Sequence, residues 1–304
     1  MSIVQAAMER LKARRAAEPG RPAEPRAARP SARAAADSAA AVVAASLPSP
    51  VIWPQTNTPI VEIDTADLNE RGLYPHADFV RRQQEDYRIL RREVIAATRS
   101  RVAPDAAVIG PVTVVTSALA GEGKTYTALN LALSMASEGI HDVLLIDADT
   151  VRRSLTHALD LGDAPGLIEL LGRPGASFTD YALRTSIERL RVVPAGVPCE
   201  GAGDLFSFGR VGPVLAAINS AFRGHIAIVD TAPILLSSDT PVLADSAGQL
   251  LLVVRAAHTL QDSVKDALSR IKESVPVGLV LNDWEPLLAS ERQAYYGYEA
   301  YSKT

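Results

Sequence analysis

One segment restricts the possible folds of this 304-residue chain more than any other, Thr116-Ser-Ala-Leu-Ala-Gly-Glu-Gly-Lys-Thr125. It follows the apolar, β-branched run 112–115 and precedes the apolar, helix-like residues 128–133. A glycine-rich turn that ends in Gly-Lys-Thr between a strand and a helix predicts a phosphate-binding loop, because its backbone amides and the helix N-terminus attract anions. A surface turn with the same letters is the alternative, and the flanking segments disfavour it.

The loop predicts a site for a nucleoside triphosphate with its magnesium ion. Lys124 is expected to reach the β- and γ-phosphates, and the Thr125 hydroxyl is expected to ligate Mg²⁺. Ala118 replaces the first glycine of the general G-x-x-x-x-G-K-[ST] pattern. The residues expected around the nucleotide are Ala120, Gly121, Glu122, Gly123, Lys124, Thr125 and Tyr126.

Strand-like and helix-like segments alternate along the chain. This alternation predicts an α/β fold with a mostly parallel sheet flanked by helices, in which ligands bind beyond the carboxyl ends of the strands. The expected strands are Val112–Thr116, Val143–Asp147, Arg191–Pro194, Ile226–Asp230, Leu250–Arg255 and Val277–Asn282. The expected helices are Asp78–Ser100, Thr125–Ser137, Pro213–Phe222 and Leu260–Glu273.

Carboxylates follow two of these strands. Asp147 and Asp149 end the second strand, and Asp230 ends the fourth. Mg²⁺ takes hard oxygen ligands and keeps several waters, so one or two carboxylates suffice to hold it. A carboxylate near the γ-phosphate can also act as a base or orient the nucleophile. A helix N-cap is the structural alternative, and it stays open for Asp149.

Composition divides the chain into three parts. Residues 1–77 combine a short amphipathic pattern at residues 3–11 with an Ala-, Pro- and Arg-rich stretch over 15–50, which predicts a disordered tether. The short pattern fits either a docking helix or a frayed terminus. Residues 78–285 form the expected α/β domain, and residues 286–304 a flexible tail that is rich in tyrosine.

Charge and cysteine content exclude several classes. The net charge of −4 gives no indication of a nucleic-acid partner, and the single Cys199 excludes a disulfide framework and any CxxC metal site. No apolar run approaches the ~18 residues that a spanning helix needs, and the N-terminus lacks the order of a secretory signal. These features predict a cytoplasmic protein.

At several motifs the chain resembles the bacterial tyrosine kinase (BY-kinase) family of P-loop NTPases. The motifs are GEGKT, NLA, LLIDAD, GLIELL, IVDTAP followed by Ser-Asp, and GLVLN, in order over roughly residues 80–283. The resemblance implies ATP and Mg²⁺ as cofactors. It implies catalytic roles for Lys124, Asp147 and Asp149, metal binding by Thr125, Asp147 and Asp230, and an adenine contact by Asn282.

Two departures from related sequences matter. Where the family usually has Arg-Arg-Pro-Ser after the acidic motif, this chain places Arg153 in the proline position, which puts the local loop geometry in question. Leu119 stands where partitioning and division-site ATPases carry a second lysine, which disfavours such nucleotide switches. The lone Cys199 disfavours a cluster carrier, and the intact loop and carboxylates disfavour a binding module without transfer activity.

Two further segments acquire a role through the resemblance. Glu85, Arg88 and Arg91 form a Glu-x-x-Arg-x-x-Arg pattern that reads as an ordinary salt-bridge ladder, and that in the family resembles the contact between subunits of a ring. The tail tyrosines lack the basic groove that single-stranded nucleic acid needs. The family resemblance marks them as autophosphorylation sites: Tyr295, Tyr296, Tyr298 and Tyr301.

The resemblance therefore implies a protein-tyrosine autokinase that modifies its own tail in trans within a homo-oligomeric ring. Such kinases are similar to regulators of exopolysaccharide and capsule polymerisation and export. The chain looks like the split form, which is activated by a separate membrane chain-length (co-polymerase) protein that holds it at the inner membrane. Its N-terminus also resembles that of kinases associated with exosortase systems.

Overall fold

The computed structural model describes residues 53, 60–76, 79–99, 112–206, 208–222 and 225–284. The expected N-terminal helix, most of the tether and the four tail tyrosines lie outside these residues. Among the residues that are described, no helix combines the length and the apolar character needed to cross a lipid bilayer.

A seven-stranded sheet forms the centre of the described part, in the spatial order β3-β4-β2-β5-β1-β6-β7. Only β3 runs antiparallel, against β4, and the other neighbours are parallel. The strands are β1 (Val112–Ser117), β2 (Val143–Asp147), β3 (Leu183–Arg184), β4 (Leu190–Val193), β5 (Ile226–Asp230), β6 (Gln249–Arg255) and β7 (Val277–Asn282). The predicted α/β class is confirmed, and each predicted strand lies within one residue of an observed one.

Helices cover both faces of the sheet, as continuous burial of the central strands requires. They are α1 (Thr65–Glu70), α2 (Val80–Arg99), α3 (Lys124–Ser137), α4 (Ser154–Ala158), α5 (Leu167–Gly172), α6 (Phe208–Ala221), α7 (Asp239–Ser246) and α8 (Gln261–Ser269). The expected helix over 213–222 begins earlier, at Phe208, and the expected helix over 260–273 ends earlier, at Ser269.

The strands divide their side chains between two apolar cores because successive residues point to opposite faces. Val112 and Val114 of β1 belong to one core, whereas Val115 belongs to the other, with Ala128 and Leu131 of α3. The central strands β1, β2 and β5 are buried along their whole length. This packing fixes the carboxyl ends of β1, β2 and β5 side by side.

Residues 60–76 pack against the sheet domain, although the sequence places them with the tether. Val61 forms a parallel bridge with Thr185, beside the edge strand β3, and Leu68 is 2% exposed within a core. The side-chain amide of Asn130 donates to the Leu73 carbonyl at 2.9 Å. The predicted boundary at 77/78 is therefore too late, because the apolar residues of this short segment find partners that are remote in sequence.

Trp53 packs against the other of the two cores. Its ring packs edge-on against Phe178 and Phe222 at centroid distances of 6.3 and 5.6 Å, and the Arg191 guanidinium lies 4.3 Å from its centroid. Burial lowers the pKa of Arg191, and the neighbouring Arg184 lowers it further.

Candidate nucleotide-binding and phosphotransfer site

The predicted phosphate-binding loop connects the carboxyl end of β1 to the first turn of α3. Gly123 is the N-cap of α3 and has φ 94°, a left-handed conformation that glycine adopts without strain. Lys124 and Thr125 are the first two residues of the helix, so their amides lie where an anion is attracted. The tip of the loop, at residues 119–121, is exposed.

Lys124 lies next to the acidic motif. Its Nζ is 3.4 Å from the Asp149 carboxylate and 3.4 Å from the Thr125 hydroxyl. The side chains of Lys124 and Asp149 are only 11% and 1% exposed. The sequence separates these two residues by a helix and a strand, and the sheet brings their charges together.

Asp230 is a fully buried carboxylate, and neither of its oxygens has a hydrogen-bond partner. Burial raises its pKa to about 7, and the nearby carboxylates of Asp147 and Asp149 raise it as well. The Lys124 charge and the Thr125 hydroxyl lie close enough to oppose this rise. Both oxygens of Asp230 are therefore without a hydrogen-bond donor beside the loop.

Asp147 has a different environment from Asp230. Its Oδ1 accepts a hydrogen bond from the Asp149 amide at 3.1 Å, and its Oδ2 accepts from the Thr156 amide and hydroxyl at 2.7 and 2.8 Å. Burial raises the pKa of Asp147, and the Thr156 hydrogen bonds oppose this effect. The structure thus uses Asp147 to hold the first turn of α4 beside the loop.

The oxygens left without donors fit a divalent cation beside a triphosphate. Both Asp230 oxygens are buried and accept no hydrogen bond, and the Thr125 hydroxyl lies next to them. Asp149 Oδ2 is also buried, and its charged partner is the Lys124 ammonium at 3.4 Å. In the described part of the chain, no three His, Cys, Asp or Glu side chains cluster as a metal site built by protein alone. Mg²⁺ is commonly held by one or two carboxylates together with substrate phosphates and water.

Beside the loop, a groove of about 1120 Å³ opens between α2 and the end of β7. Gly121, Gly123, Tyr126 and Asn282 line it. The Asn282 amide donates to the Glu122 carbonyl at 3.1 Å. Asn282 therefore supports the phosphate loop from the side on which the groove opens. The Tyr126 hydroxyl accepts a hydrogen bond from Gln83 of α2.

Sequence reasoning missed Thr259, which donates to Glu122 from a position 137 residues away. A threonine just before a predicted helix gives no signal of such a contact. Gln83 was also missed, because its contact with Tyr126 depends on how α2 packs against α3.

The three residues of the expected subunit contact differ in their exposure and in their partners within the chain. Glu85 and Arg88 form an exposed salt bridge of 2.9 Å, with side chains 56% and 53% exposed. Arg91 instead binds α3 and its C-cap within the chain, donating to the Ser134 carbonyl at 2.9 Å and the Glu138 carboxylate at 3.0 Å. Glu85 and Arg88 therefore remain available to a partner, while Arg91 already has partners.

The backbone conformation of the loop after the acidic motif explains why Arg153 stands where the family usually has proline. Arg153 has φ 51°, a value that the proline ring cannot adopt. Its guanidinium binds the Asp163 carboxylate at 3.0 Å and the Gly162 carbonyl. The loop geometry of this chain thus differs from one that carries proline at this position.

Comparisons with known proteins find relatives among tyrosine-protein kinases. No family model matches the chain. It is 32% identical over 186 residues to the tyrosine-protein kinase CpsD of Streptococcus agalactiae, covering 60% of this chain and 76% of that protein. It is 30% identical over 217 residues to the tyrosine-protein kinase YwqD of Bacillus subtilis, covering 70% of this chain and 86% of that protein. A match to the tyrosine-protein kinase wzc of Salmonella typhimurium covers 24% of that protein.

Solved structures show the same fold. The kinase domain of the Escherichia coli tyrosine kinase ETK superposes with a TM-score of 0.59 at 23% identity, covering 78% of this chain and 84% of that chain. The VpsO kinase domain superposes with a TM-score of 0.52 at 27% identity, covering 66% of this chain and 98% of that chain. The sequence matches to CpsD and YwqD also extend over most of the length of both relatives.

Proposed function

This chain belongs to the family of bacterial tyrosine-protein kinases, and we propose that it transfers the γ-phosphoryl group of ATP to tyrosines of its own tail. The observation that carries the proposal is the buried Asp230 carboxylate, which accepts no hydrogen bond, next to the buried Lys124–Asp149 ion pair of the phosphate loop. A buried carboxylate without a partner is costly in the folded protein, and it fits the Mg²⁺ ion that accompanies ATP in a kinase.

The residues of the site have different roles in the proposed transfer. Lys124 would neutralise charge on the β- and γ-phosphates, while the amides of the loop would hold the phosphate chain. Thr125 and Asp230 would hold Mg²⁺. When bound, this ion supplies positive charge that offsets the charge on the phosphates. Asp147 holds the acidic loop in place through its three hydrogen bonds.

Asp149 is the better candidate for the proton acceptor. In the transfer, a bond forms between the tyrosine oxygen and the γ-phosphorus, the bond to the leaving ADP oxygen breaks, and the phenol proton must leave. Asp149 Oδ2 accepts no hydrogen bond and lies 3.4 Å from the Lys124 ammonium, whereas both oxygens of Asp147 are occupied by amide and hydroxyl donors. We therefore give Asp149 the role of base and Asp147 a supporting one.

The acceptor tyrosines are Tyr295, Tyr296, Tyr298 and Tyr301, and modification in trans within a ring is part of the proposal. The last described residue, Trp284, lines the groove beside the phosphate loop, so the tail starts near the site. Each phosphate adds about −1.5 to −2 charge at neutral pH, and added charge near these carboxylates is expected to expel the tail and loosen a ring.

The cellular role rests on the family resemblance alone. We propose that the kinase regulates exopolysaccharide or capsule polymerisation and export, and that a membrane chain-length protein activates it at the inner membrane. The association with exosortase systems belongs to the same proposal.

Intact mass after incubation with Mg-ATP tests the transfer. The wild type is compared with Lys124→Met and with a variant in which all four tail tyrosines are Phe, each with and without membranes from the source. Addition of one to four phosphates to the wild type alone would support the proposal. ATP turnover without any phosphate on the protein, under both conditions, would favour a nucleotide-switched ATPase instead.

A further inference from the structure

Three hydrogen bonds converge on Glu122 of the phosphate loop. Its Oε2 accepts from the Leu119 amide at 2.8 Å, which ties the exposed tip of the loop back to its base. Its Oε1 accepts from the Thr259 hydroxyl at 2.6 Å, and its carbonyl accepts from the Asn282 amide. Glu122 is only 5% exposed, so water competes little for these bonds. The loop is therefore held from within and from one side.

The direction of the Glu122–Thr259 contact follows from the partners of Thr259. Its hydroxyl accepts a hydrogen bond from the Arg255 amide at 3.0 Å, and its own amide donates to the Arg255 carbonyl at 3.0 Å. A hydroxyl carries one proton, so this proton is directed to the Glu122 carboxylate. A hydrogen bond to a charged acceptor is stronger than one between neutral groups.

Thr259 is itself anchored at the carboxyl end of the sheet. It lies in the loop between β6 and α8, where Arg255, the last residue of β6, forms an ion pair of 2.9 Å with Asp283 directly after β7. The Ala256 amide donates to the Asn282 carbonyl at 2.8 Å. The ends of β6 and β7 thus form one hydrogen-bonded support beside the phosphate loop.

We propose that Thr259 is a positioning residue for nucleotide binding, which acts by holding the Glu122 carboxylate. A loop of small residues with an exposed tip loses conformational entropy when it closes on a phosphate chain. The Glu122–Thr259 contact restricts the loop before the nucleotide arrives, so less of this cost remains at binding. The inference rests on the proposed function, because it assumes that the loop binds ATP.

The position of Thr259 predicts a specific kinetic signature. Thr259 touches Glu122 and Arg255, and none of its hydrogen bonds reaches Lys124, Asp149 or Asp230. Loss of its hydroxyl should therefore raise the Kd and KM for ATP and leave kcat nearly unchanged. A residue that only stabilised the fold would lower the temperature of unfolding without this split.

The test compares Thr259→Val, which is nearly isosteric, with Thr259→Ser, which keeps the hydroxyl. Each full-length variant is titrated with Mg-ADP by calorimetry, and KM and kcat for ATP are measured alongside the unfolding temperature. We expect Val to weaken binding by about tenfold to a hundredfold and Ser to stay within about twofold. Equal affinities for wild type and Val, or equal losses for Val and Ser, would overturn the proposal.

A double-mutant cycle with Glu122→Ala, which removes both acceptor oxygens, separates the Thr259 contact from the Leu119 contact. The effects of Glu122→Ala and Thr259→Val on the Kd should overlap, so that the double variant binds little worse than Glu122→Ala alone. Fully additive effects would contradict the proposal. If Thr259→Val does not fold, Thr259→Ala takes its place, and unchanged affinity there would refute the proposal. A wild type that binds no nucleotide would refute the proposed function itself.

Discussion

Asp147 and Asp230 lie opposite each other on the neighbouring parallel strands β2 and β5, yet only one of the two carboxylates has hydrogen-bond donors. Both are fully buried. Two similar strand-end aspartates therefore differ in their surroundings: Asp147 holds the first turn of α4, whereas Asp230 has two oxygens without a hydrogen-bond donor.

Asp230→Asn should stabilise the protein without nucleotide at alkaline pH. The carboxyl has a pKa of about 7 in the folded protein and 3.8 as its ordinary value, so the folded state binds its proton more tightly. Its contribution to the free energy of unfolding is complete below about pH 4, falls as the pH rises to about 7, and is then constant. The full difference is on the order of 4 kcal/mol.

Chemical denaturation of wild type and Asp230→Asn near pH 5 and near pH 8 measures this effect. The advantage of the Asn variant should grow with pH. Asp180→Asn, at an exposed position, serves as the matched control. A difference between Asp230→Asn and wild type that does not change with pH would contradict the prediction.

Thr156→Val should destabilise the fold by about 2–4 kcal/mol, because it removes one donor to a buried carboxylate and one acceptor. The Thr156 hydroxyl donates to Asp147 and accepts from the Ala195 amide at 2.9 Å. Thr156→Ser keeps both bonds and should lose only about 1 kcal/mol for the methyl group. Urea unfolding at neutral pH distinguishes them, and equal losses would assign the effect to packing.

Gly123→Ala should weaken ATP binding far more than Gly121→Ala. Both glycines have positive φ, 94° and 82°, so each alanine adds a strain of about 1–2 kcal/mol. A Cβ on Gly123 would also overlap the Asn282 amide, whereas a Cβ on Gly121 would meet open space. Calorimetric titration with Mg-ADP measures both variants. Equal losses of affinity in the two variants would mean that backbone strain, and not the overlap with Asn282, weakens binding.

Alanine variants of α2 test the proposed ring. Arg88→Ala and Glu85→Ala should change the free energy of unfolding by less than about 1 kcal/mol, because their pair is exposed. If this face joins subunits, both should shift light scattering toward the monomer. Arg91→Ala should instead destabilise the single chain by about 1–3 kcal/mol, since it loses two bonds to α3 and its C-cap. An unchanged oligomeric state in all three would argue against this contact.

Much of the fold could be predicted because its central strands are short apolar runs between glycine or polar turns. The site carboxylates were predictable from their place at strand ends. The two-residue strand β3 was missed because two residues carry no periodicity. Leu68 and Thr259 were missed for another reason: their partners are remote in sequence, and only the folded sheet brings them together. No local pattern contains such a contact.

The left-handed conformation of Arg153 has a consequence for exchanging parts between relatives. Its backbone angle and its bonds to Gly162 and Asp163 make residues 153–163 one interdependent unit. Grafting the family's proline alone into this loop would impose a φ that the loop does not have. A working hybrid would have to transfer the whole segment 153–163, because the backbone angle of Arg153 and its two contacts depend on each other.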